Sequence, residues 1–462
     1  MKPIYLFPFL VICLFFLSAR CQDVPKNGAT VSVSSDIETL YQENCGSCHG
    51  RQLQQFKRLK SYDRESSYLV NVIKNGRPEN GMVAFGGAFS DSLIQELSAF
   101  IKNYNYDDNQ LPTPSGDRDY AVEVVVGDLE IPWGMAFLPD GDLLIAEKKG
   151  ELSRYNATSG MHPIQGLPPV RDRGQGGLMD LRLHPRYEEN GWLYISYSYM
   201  DEADPNAGNT AVIRARLQDD RLVDIQPIYK GIPAVSTSHH FGNRMVFDRA
   251  GYLYLSNGER GRRDEFPQRL DNSNGKIHRL YDDGRIPEDN PFYGQEGVVE
   301  SIYSYGHRNP QGLALHPETG MIWEHEHGPR GGDEINIIRK GLNYGWPVIS
   351  YGINYSGTIF TDITEKEGME QPIHYYKPSI APCGMAFVDS DIYPEWKNNL
   401  LIGSLSFEYL ERLVLNGDQI IGQEKLLDEL QSRVRNVIVG PDGYIYVAVE
   451  GPGRILKLLP KQ

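Results

Sequence analysis

Residues 134–147 read GMAFLPDGDLLIAE, two apolar segments on either side of the turn sequence Pro-Asp-Gly. Alternating apolar residues around such a turn are typical of a β-hairpin with one buried face. Five further segments have the same pattern: 178–197, 244–257, 312–325, 384–404 and 436–449. A hairpin that recurs about every 50 to 70 residues indicates propeller blades, because circular closure protects the strand edges. We therefore predict an all-β, six-bladed propeller over residues 120–462.

The composition agrees with a turn-rich β protein. Of 462 residues, 40% are hydrophobic, 47 are glycine and 28 are tyrosine. The length suffices for two or three domains. The formal net charge of −15 at pH 7 argues against a basic binding face, so no nucleic-acid partner is expected.

A second, smaller domain is indicated by the motif Cys45-Gly-Ser-Cys48-His49. Two cysteines at this spacing can form thioethers with the vinyl groups of one haem, and the adjacent histidine can bind its iron. A thioredoxin-like or zinc-binding Cys-x-x-Cys is the alternative. The sequence offers no second cysteine pair for zinc, and a histidine directly after the second cysteine favours haem c.

Residues 31–106 around this motif resemble a class I cytochrome c, an all-α domain. Apolar periodicity predicts helices around 66–75 and 91–104, the latter with Leu93, Leu97 and Ile101 on one face. The resemblance makes Met82, in a Gly-Met loop, the sixth haem ligand; an ordinary core methionine is the alternative. Residues 107–119 contain two prolines and several acids, which indicates a linker.

The N-terminus predicts export. Lys2 precedes an apolar run over residues 4–17, which is typical of a secretory signal peptide ending near residue 21. The run is shorter than the roughly 20 residues that a membrane span needs. Cys21 is a candidate lipid-anchor residue, but Arg20 stands where a lipoprotein signal has a small side chain and favours ordinary cleavage. A periplasmic or secreted protein is expected.

Polar motifs lie beside the predicted inner strands, near the channel mouth where a propeller can bind ligands. They are SHHFGNR at 238–244, GHRNPQG at 306–312, GPRGGDEIN at 328–336 and RVR at 433–435. Carbonyl and carboxylate oxygens in the third motif suit calcium. The arginines suit a cofactor that carries several negative charges.

In this order the motifs resemble the glucose/sorbosone dehydrogenase family over roughly residues 120–460. Further matching motifs are Pro132-Trp133-Gly134, Gln175-Gly176-Gly177, Asn343-Tyr344-Gly345-Trp346 and 352–357. The last is most similar to the aldose sugar dehydrogenase branch. The resemblance implies a quinoprotein that uses pyrroloquinoline quinone (PQQ) and calcium to oxidise aldoses at the anomeric carbon to lactones. Electrons would pass to the chain's own haem c and then to an external periplasmic acceptor.

The resemblance also implies roles for individual residues. The general base would be His240, Arg308 would stabilise the developing oxyanion, and Gln175 would lie near substrate and cofactor. The other PQQ-binding residues would be Asn309, Arg433 and Arg435. The catalytic calcium would bind the carbonyls of Gly328 and Pro329, and a structural calcium would bind Glu334 and the Tyr344 carbonyl.

Two positions depart from the family pattern. His239 replaces an acidic residue that often precedes the base, so the partner that orients His240 remains open. Ser406 replaces a lysine that contacts the cofactor, so one positive contact is lost. Two alternative functions stay open: a sorbosone-type or other alcohol or aldehyde dehydrogenase, and a non-catalytic propeller that binds a glycan or protein and carries a redox haem.

Overall fold

The structure is a computed structural model that describes most of the chain. The described residues are 37–45, 49, 53, 65–77, 82, 84–103 and 119–461. The predicted signal peptide, Cys21, Cys48 and the linker up to residue 118 lie outside them. No helix in the described part is long and apolar enough to cross a membrane.

Six four-stranded antiparallel sheets form the predicted six-bladed propeller. Blades 1 to 3 are β2 (Pro132–Phe137), β3 (Leu143–Glu147), β4 (Glu151–Asn156), β5 (Gly160–Pro163); β6 (Leu178–Leu183), β7 (Trp192–Met200), β8 (Gly208–Gln218), β9 (Arg221–Lys230); and β10 (Met245–Phe247), β11 (Leu253–Asn257), β12 (Lys276–Leu280), β13 (Ile302–Tyr305). Blades 4 to 6 are β14 (Pro310–Leu315), β15 (Ile322–Glu326), β16 (Asp333–Ile338), β17 (His374–Tyr376); β18 (Pro382–Phe387), β19 (Leu400–Ser404), β20 (Leu410–Asn416), β21 (Gln419–Leu426); and β22 (Arg433–Val439), β23 (Ile445–Glu450), β24 (Gly453–Pro460), β1 (Tyr120–Leu129).

The first strands of the six blades form a closed inner ring. β2, β6, β10, β14, β18 and β22 contact one another in that order, and β22 returns to β2. The sixth blade joins both ends of the domain, because β1 pairs antiparallel with β24 from Tyr120↔Pro460 to Leu129↔Gly453. This pairing completes the sixth blade and leaves β24 paired on both sides, with β1 as the outermost strand.

Each predicted hairpin segment supplies the two innermost strands of one blade. In blade 1 the turn is closed by a hydrogen bond from the Leu138 amide to the Asp142 carbonyl (2.8 Å). Gly141 has φ +91°, which favours glycine because it has no Cβ. All five residues of β3 are buried. Near-continuous apolar strands follow from the architecture, since neighbouring blades cover both faces of each sheet.

The described residues before 104 include three helices, and two of them lie where the sequence predicted helices. α1 spans Ile37–Asn44, α2 spans Ser66–Asn75 and α3 spans Asp91–Asn103. α3 buries Ile94, Leu97 and Ile101, whereas Leu93 is only half-buried, so the buried face is rotated slightly from the prediction. Among the described residues, the other short helices are α4 (Tyr187–Asn190) and two 3-10 turns, Pro394–Trp396 and Asp428–Leu430.

Candidate active site

The predicted catalytic and cofactor residues lie at the same end of the inner strands. His240, Arg308 and Gln175 precede β10, β14 and β6, and all inner strands of a closed ring run in one direction. Direct contacts join them: the His240 amide donates to Gln175 Oε1 (2.7 Å), and the Glu259 amide donates to the Arg308 carbonyl (2.8 Å). Asn309 Oδ1 accepts from the Gly242 amide (3.2 Å). The structure thus brings the predicted catalytic residues together.

His240 has the geometry of a general base. Its φ of +56° is unusual for a residue with a side chain, and such backbone conformations are common at functional sites. Nδ1 is hydrogen-bonded to Glu259 Oε1. Burial, and then the charges of Arg308 and Arg260, hold the pKa of His240 well below its usual value. The ring is therefore neutral near pH 7, and its other nitrogen, Nε2, can accept a proton.

Glu259 is the partner of His240 that the sequence left open. It lies two residues after β11 and is only 1% exposed. The carboxylate holds Nδ1 of His240 and is placed to stabilise the imidazolium that forms on proton uptake. His239 has a different part: its ring packs edge-on against His240 (centroids 4.6 Å apart), and burial lowers its pKa to about 3. The sequence did not indicate this pairing, because Glu259 lies 19 residues after His240 and meets it only once the chain has folded back along β11.

Glu326 positions the backbone of Arg308 and Asn309, because its carboxylate accepts hydrogen bonds from both of their backbone amides. The Arg308 side chain is 6% exposed, and its Nη1 donates to the carbonyls of His327 (2.9 Å) and Gly328 (2.6 Å). The guanidinium is therefore positioned by the backbone of the predicted calcium loop. A fixed positive charge here suits a cofactor oxygen that gains negative charge.

Arg433 and Arg435 share one carboxylate. Arg433 Nε (2.7 Å) and Arg435 Nη2 (2.8 Å) both donate to Glu450 Oε1 across the β22–β23 pair. Glu450 is 1% exposed, and Arg435 Nε is buried with no hydrogen-bond partner in the described part of the chain. Two guanidinium groups aligned by one carboxylate, with Arg435 Nε still available, fit a ligand that carries several carboxylates, as PQQ does.

Residues of all six blades meet at Arg244 in the centre of the ring. This buried guanidinium stacks on Trp133 (3.8 Å to the ring centroid), lies 3.3 Å from Asp180 Oδ1, and donates to the Arg435 carbonyl (2.9 Å). Cys383, a free buried cysteine, has its Sγ 3.5 Å from both Arg244 Nη2 and Arg435 Nη1. These contacts therefore fix the carbonyl and the guanidinium of Arg435 together.

The predicted carbonyl ligands of the catalytic calcium are fixed by Asp333. Its carboxylate accepts the amides of Gly328 (2.8 Å) and Ala381 (2.8 Å). Ser379 Oγ lies 2.8 Å from Asp333 Oδ1 and 3.1 Å from the Pro329 carbonyl. Burial raises the pKa of Asp333 to about 6, although these hydrogen bonds oppose the shift. Two preformed carbonyls in such a loop fit calcium.

The second predicted calcium site also has a suitable environment. Glu334 and Tyr344 line one small cavity together with Glu326. Burial, and then the charge of Glu326, raises the pKa of Glu334 well above its usual value. Neighbouring buried carboxylates are stabilised by a bound cation, so the residues fit the implied ion.

Ser406, which stands where the family has a cofactor-contacting lysine, is buried. It is 5% exposed, and its amide donates to the Ile380 carbonyl (3.0 Å).

Three of the predicted haem residues are described. The His49 amide donates to the Cys45 carbonyl (2.9 Å), and the backbone of Met82 forms two hydrogen bonds with that of Arg77 (2.8 and 3.0 Å). Burial, and then the charge of Arg433, lowers the pKa of His49 to about 4. The cysteine side chain of Cys45, one helical turn before His49, is of the type that covalent haem attachment requires.

The sequence matches the profile of the Glucose / Sorbosone dehydrogenase family over residues 129–457. The chain belongs to this family. Its N-terminal region matches a cytochrome profile described as Cytochrome C oxidase, cbb3-type, subunit III, over residues 34–101. Both predicted resemblances, to glucose/sorbosone dehydrogenases and to a cytochrome c, are thus confirmed.

Several family members with known structures or descriptions are similar to the propeller. An aldose sugar dehydrogenase of Escherichia coli (strain K12) is 43% identical over 347 residues, which is 74% of this chain and 93% of the relative. The structure of the soluble Escherichia coli aldose sugar dehydrogenase in the apo-form has a TM-score of 0.71 and 43% identity, covering 74% of this chain and all of the other. The PQQ-bound aldose sugar dehydrogenase of Streptomyces coelicolor has a TM-score of 0.61 and 27% identity, covering 74% of this chain and 98% of the other.

Proposed function

We propose that this chain is a periplasmic aldose sugar dehydrogenase. It oxidises aldoses at the anomeric carbon to lactones with PQQ and calcium, and its electrons leave through its own haem c to an external acceptor. The observation that carries the proposal is the His240–Glu259 pair beside Arg308 at the mouth of a propeller of this family. Similarity to relatives described as aldose sugar dehydrogenases supports the substrate class.

The residues at the mouth can carry out the proton chemistry of this reaction. The neutral His240 ring accepts the proton of the anomeric hydroxyl at Nε2 while Nδ1 stays bonded to Glu259. The negative charge of Glu259 stabilises the imidazolium, and Gln175 holds the His240 backbone in place. Bound PQQ would supply the two-electron acceptor for the hydride of the anomeric carbon, and calcium would supply the Lewis acid. Arg308 would stabilise negative charge next to that acceptor.

Cofactor binding rests on the arginines of blade 6 and the calcium loop of blade 4. Arg433 and Arg435, aligned by Glu450, would bind carboxylates of PQQ. The Gly328 and Pro329 carbonyls would bind the catalytic calcium, and Glu334 with the Tyr344 carbonyl the structural one. Ser406 adds no charge to this set, which predicts weaker electrostatic attraction than a lysine would provide.

The fusion of a cytochrome region to the propeller supports an internal electron route, because it gives a one-electron acceptor a high effective concentration near the donor. Cys45 and Cys48 would hold the haem, with His49 and Met82 on its iron. Covalent haem and the predicted signal peptide are consistent with the periplasm.

The test is stopped-flow absorbance on haem-loaded chain reconstituted with PQQ and calcium and mixed with glucose, other aldoses or sorbosone. Reduction of the haem bands that depends on an aldose is expected. If a dye is reduced while the haem stays oxidised, the proposed electron route through the haem is wrong, but the proposed dehydrogenase activity stands. No response to any aldose would overturn the proposed function, and a response to sorbosone alone would replace its substrate class.

His240→Ala provides the matched control. This variant should bind PQQ, because the arginines and the calcium loop are unchanged, but it should not reduce PQQ when an aldose is added. Unchanged turnover would remove His240 from the mechanism.

A further inference from the structure

A second group of ligand-type side chains lies inside the propeller, between blades 3 and 4. His307 leads from β13 to β14, and Glu324 and Glu326 stand two positions apart on β15 and therefore share one face. Their exposed fractions are 0%, 0% and 3%. One ligand atom from each, an imidazole nitrogen and two carboxylate oxygens, lies within 4.8 Å of the other two. Three such groups buried next to one another require an explanation.

The imidazole is oriented like a metal ligand. Its Nε2 is 2.9 Å from Ser304 Oγ, and its face stacks on Tyr344 with centroids 4.6 Å apart. When Nε2–H donates to Ser304, the Nδ1 lone pair faces Glu326 Oε1 at 3.3 Å. That separation is long for an N–H···O bond. It matches the edge of about 3.3 Å expected for a tetrahedron whose bonds are about 2.0 Å, the usual Zn–N and Zn–O length.

Among the described residues, no positive charge acts on the Glu324 carboxylate. Glu324 Oε2 accepts from Asn336 Nδ2 (3.1 Å), while Glu324 Oε1 and Asn336 Oδ1 are buried without a hydrogen-bond partner in the described structure. The charges that act on Glu324 are those of Glu326 and Glu334, and both are negative. Oxygen atoms left unpaired in a low-dielectric interior are unfavourable unless a cation or a proton joins them.

We propose that His307, Glu324 and Glu326 bind one divalent transition-metal ion, with zinc as the expected ion and Asn336 Oδ1 as the fourth ligand. An imidazole nitrogen in the set favours zinc or manganese over calcium, which prefers oxygen ligands alone. With four protein ligands and no exposure, the ion is structural. Because Glu326 also accepts the amides of Arg308 and Asn309, the ion fixes the backbone of two predicted cofactor residues.

The first experiment measures the metal content of the full, haem-loaded chain, purified without an affinity tag and dialysed against metal-free buffer. Mass spectrometry of the elements should find about one zinc or manganese ion per chain, counted against the haem absorbance. X-ray absorption at the metal edge should show oxygen and nitrogen neighbours at about 2.0–2.1 Å and the outer-shell scattering of an imidazole. Neither readout depends on sugar oxidation.

Two neighbouring glutamates give matched variants. Glu324→Gln keeps the shape of the side chain and is also the isostere of a protonated acid, whereas Glu334→Gln changes the neighbouring predicted calcium ligand. Glu324→Gln should lower the metal content at least about tenfold and lower Tm by several degrees. Glu334→Gln should retain the zinc or manganese.

Two results would overturn the proposal. One is a wild-type chain that contains less than about one such ion per ten molecules and takes up none from added Zn²⁺ or Mn²⁺. The other is a Glu324→Gln variant whose metal content equals that of the wild type. If the wild type contains no metal and the variant has an equal or higher Tm, Glu324 is a protonated acid instead. Should Glu324→Gln fail to fold, the absorption spectrum of the wild type decides.

Discussion

Replacing Glu259 by glutamine removes the charge that stabilises the protonated form of His240 while preserving the size of the side chain. Glu259 Oε1 is bonded to His240 Nδ1, and the carboxylate is 1% exposed, so no water can substitute for it. Glutamine can also turn its NH₂ toward Nδ1. That would place the ring proton on Nε2, the atom that must accept the substrate proton.

The magnitude follows from the charges. Two unit charges about 4 Å apart in a medium of effective dielectric constant about 20 attract by about 4 kcal/mol. A neutral hydrogen bond from the amide would keep about 1 kcal/mol of this. The loss of about 3 kcal/mol from the transition state corresponds to a decrease in kcat of about 150-fold. Stabilisation of the wrong tautomer would enlarge the decrease further, toward about 10⁴-fold.

The assay is aldose-dependent dye reduction by chain saturated with PQQ and calcium, recorded from pH 5 to 9. The acidic limb of the kcat profile should move to lower pH in Glu259→Gln, since the imidazolium loses its stabilising charge. A purely structural defect would lower kcat without moving that limb. Glu259→Asp, which retains the charge, should recover part of the rate.

Glu265→Gln is the matched control, because Glu265 lies six residues further along the same loop and its side chain is 56% exposed beside Arg262. It should leave kcat and PQQ affinity unchanged. A decrease of less than about fivefold in kcat for Glu259→Gln, with PQQ bound as in the wild type, would refute the role assigned to Glu259.

Three further predictions follow from the same structure. Asp333→Asn should lower calcium-dependent PQQ affinity about 10- to 100-fold in a titration at graded calcium, because the carboxylate that accepts the Gly328 and Ala381 amides is weakened; unchanged affinity would contradict this. Ser406→Lys should raise PQQ affinity by up to about tenfold, most clearly at low salt, and no change would show that the lost positive contact is compensated elsewhere. His278 and His325 are fully buried, and burial lowers the pKa of each to about 3. Because both folded values lie below the unfolded value near 6.5, their contribution to stability is complete above pH 6.5 and is lost as pH falls. At pH 5 each histidine should lower the free energy of unfolding by about 2 kcal/mol relative to neutral pH. Urea unfolding can detect this decrease, and His278→Gln should make it smaller.

The turn that begins at Gly328 is formed by the protein itself. Gly328 has room for no side chain, since an added Cβ would lie 2.2 Å from the Gly332 carbonyl oxygen. Asp333 accepts the Gly328 amide, and Ser379 Oγ donates to the Pro329 carbonyl. The turn therefore presents its carbonyl oxygens in a fixed arrangement before any ion binds, which lowers the reorganisation that binding requires.

The sequence by itself determined the elements whose signals are local. The turn in 134–147 and its five relatives predicted the innermost hairpin of each blade, because alternation and turn residues act within a dozen positions. Helices α2 and α3 were likewise predicted to within a residue, apart from the rotation that buries Ile94 in place of Leu93. The motif around Cys45 and the order of the polar loops were sufficient to predict both families.

Only the tertiary structure decided which side chains act on one another across strands and blades. Glu259 meets His240 after β11 has folded back, and Glu450 reaches Arg433 and Arg435 from the neighbouring strand β23. Arg244 connects blades that are far apart in the chain. These contacts depend on closure of the ring, which joins β1 to β24 over more than 300 residues, and no local pattern encodes such a pairing. The chemistry of each residue could be predicted from its type and its motif, whereas its partner and its protonation state depend on the closed ring.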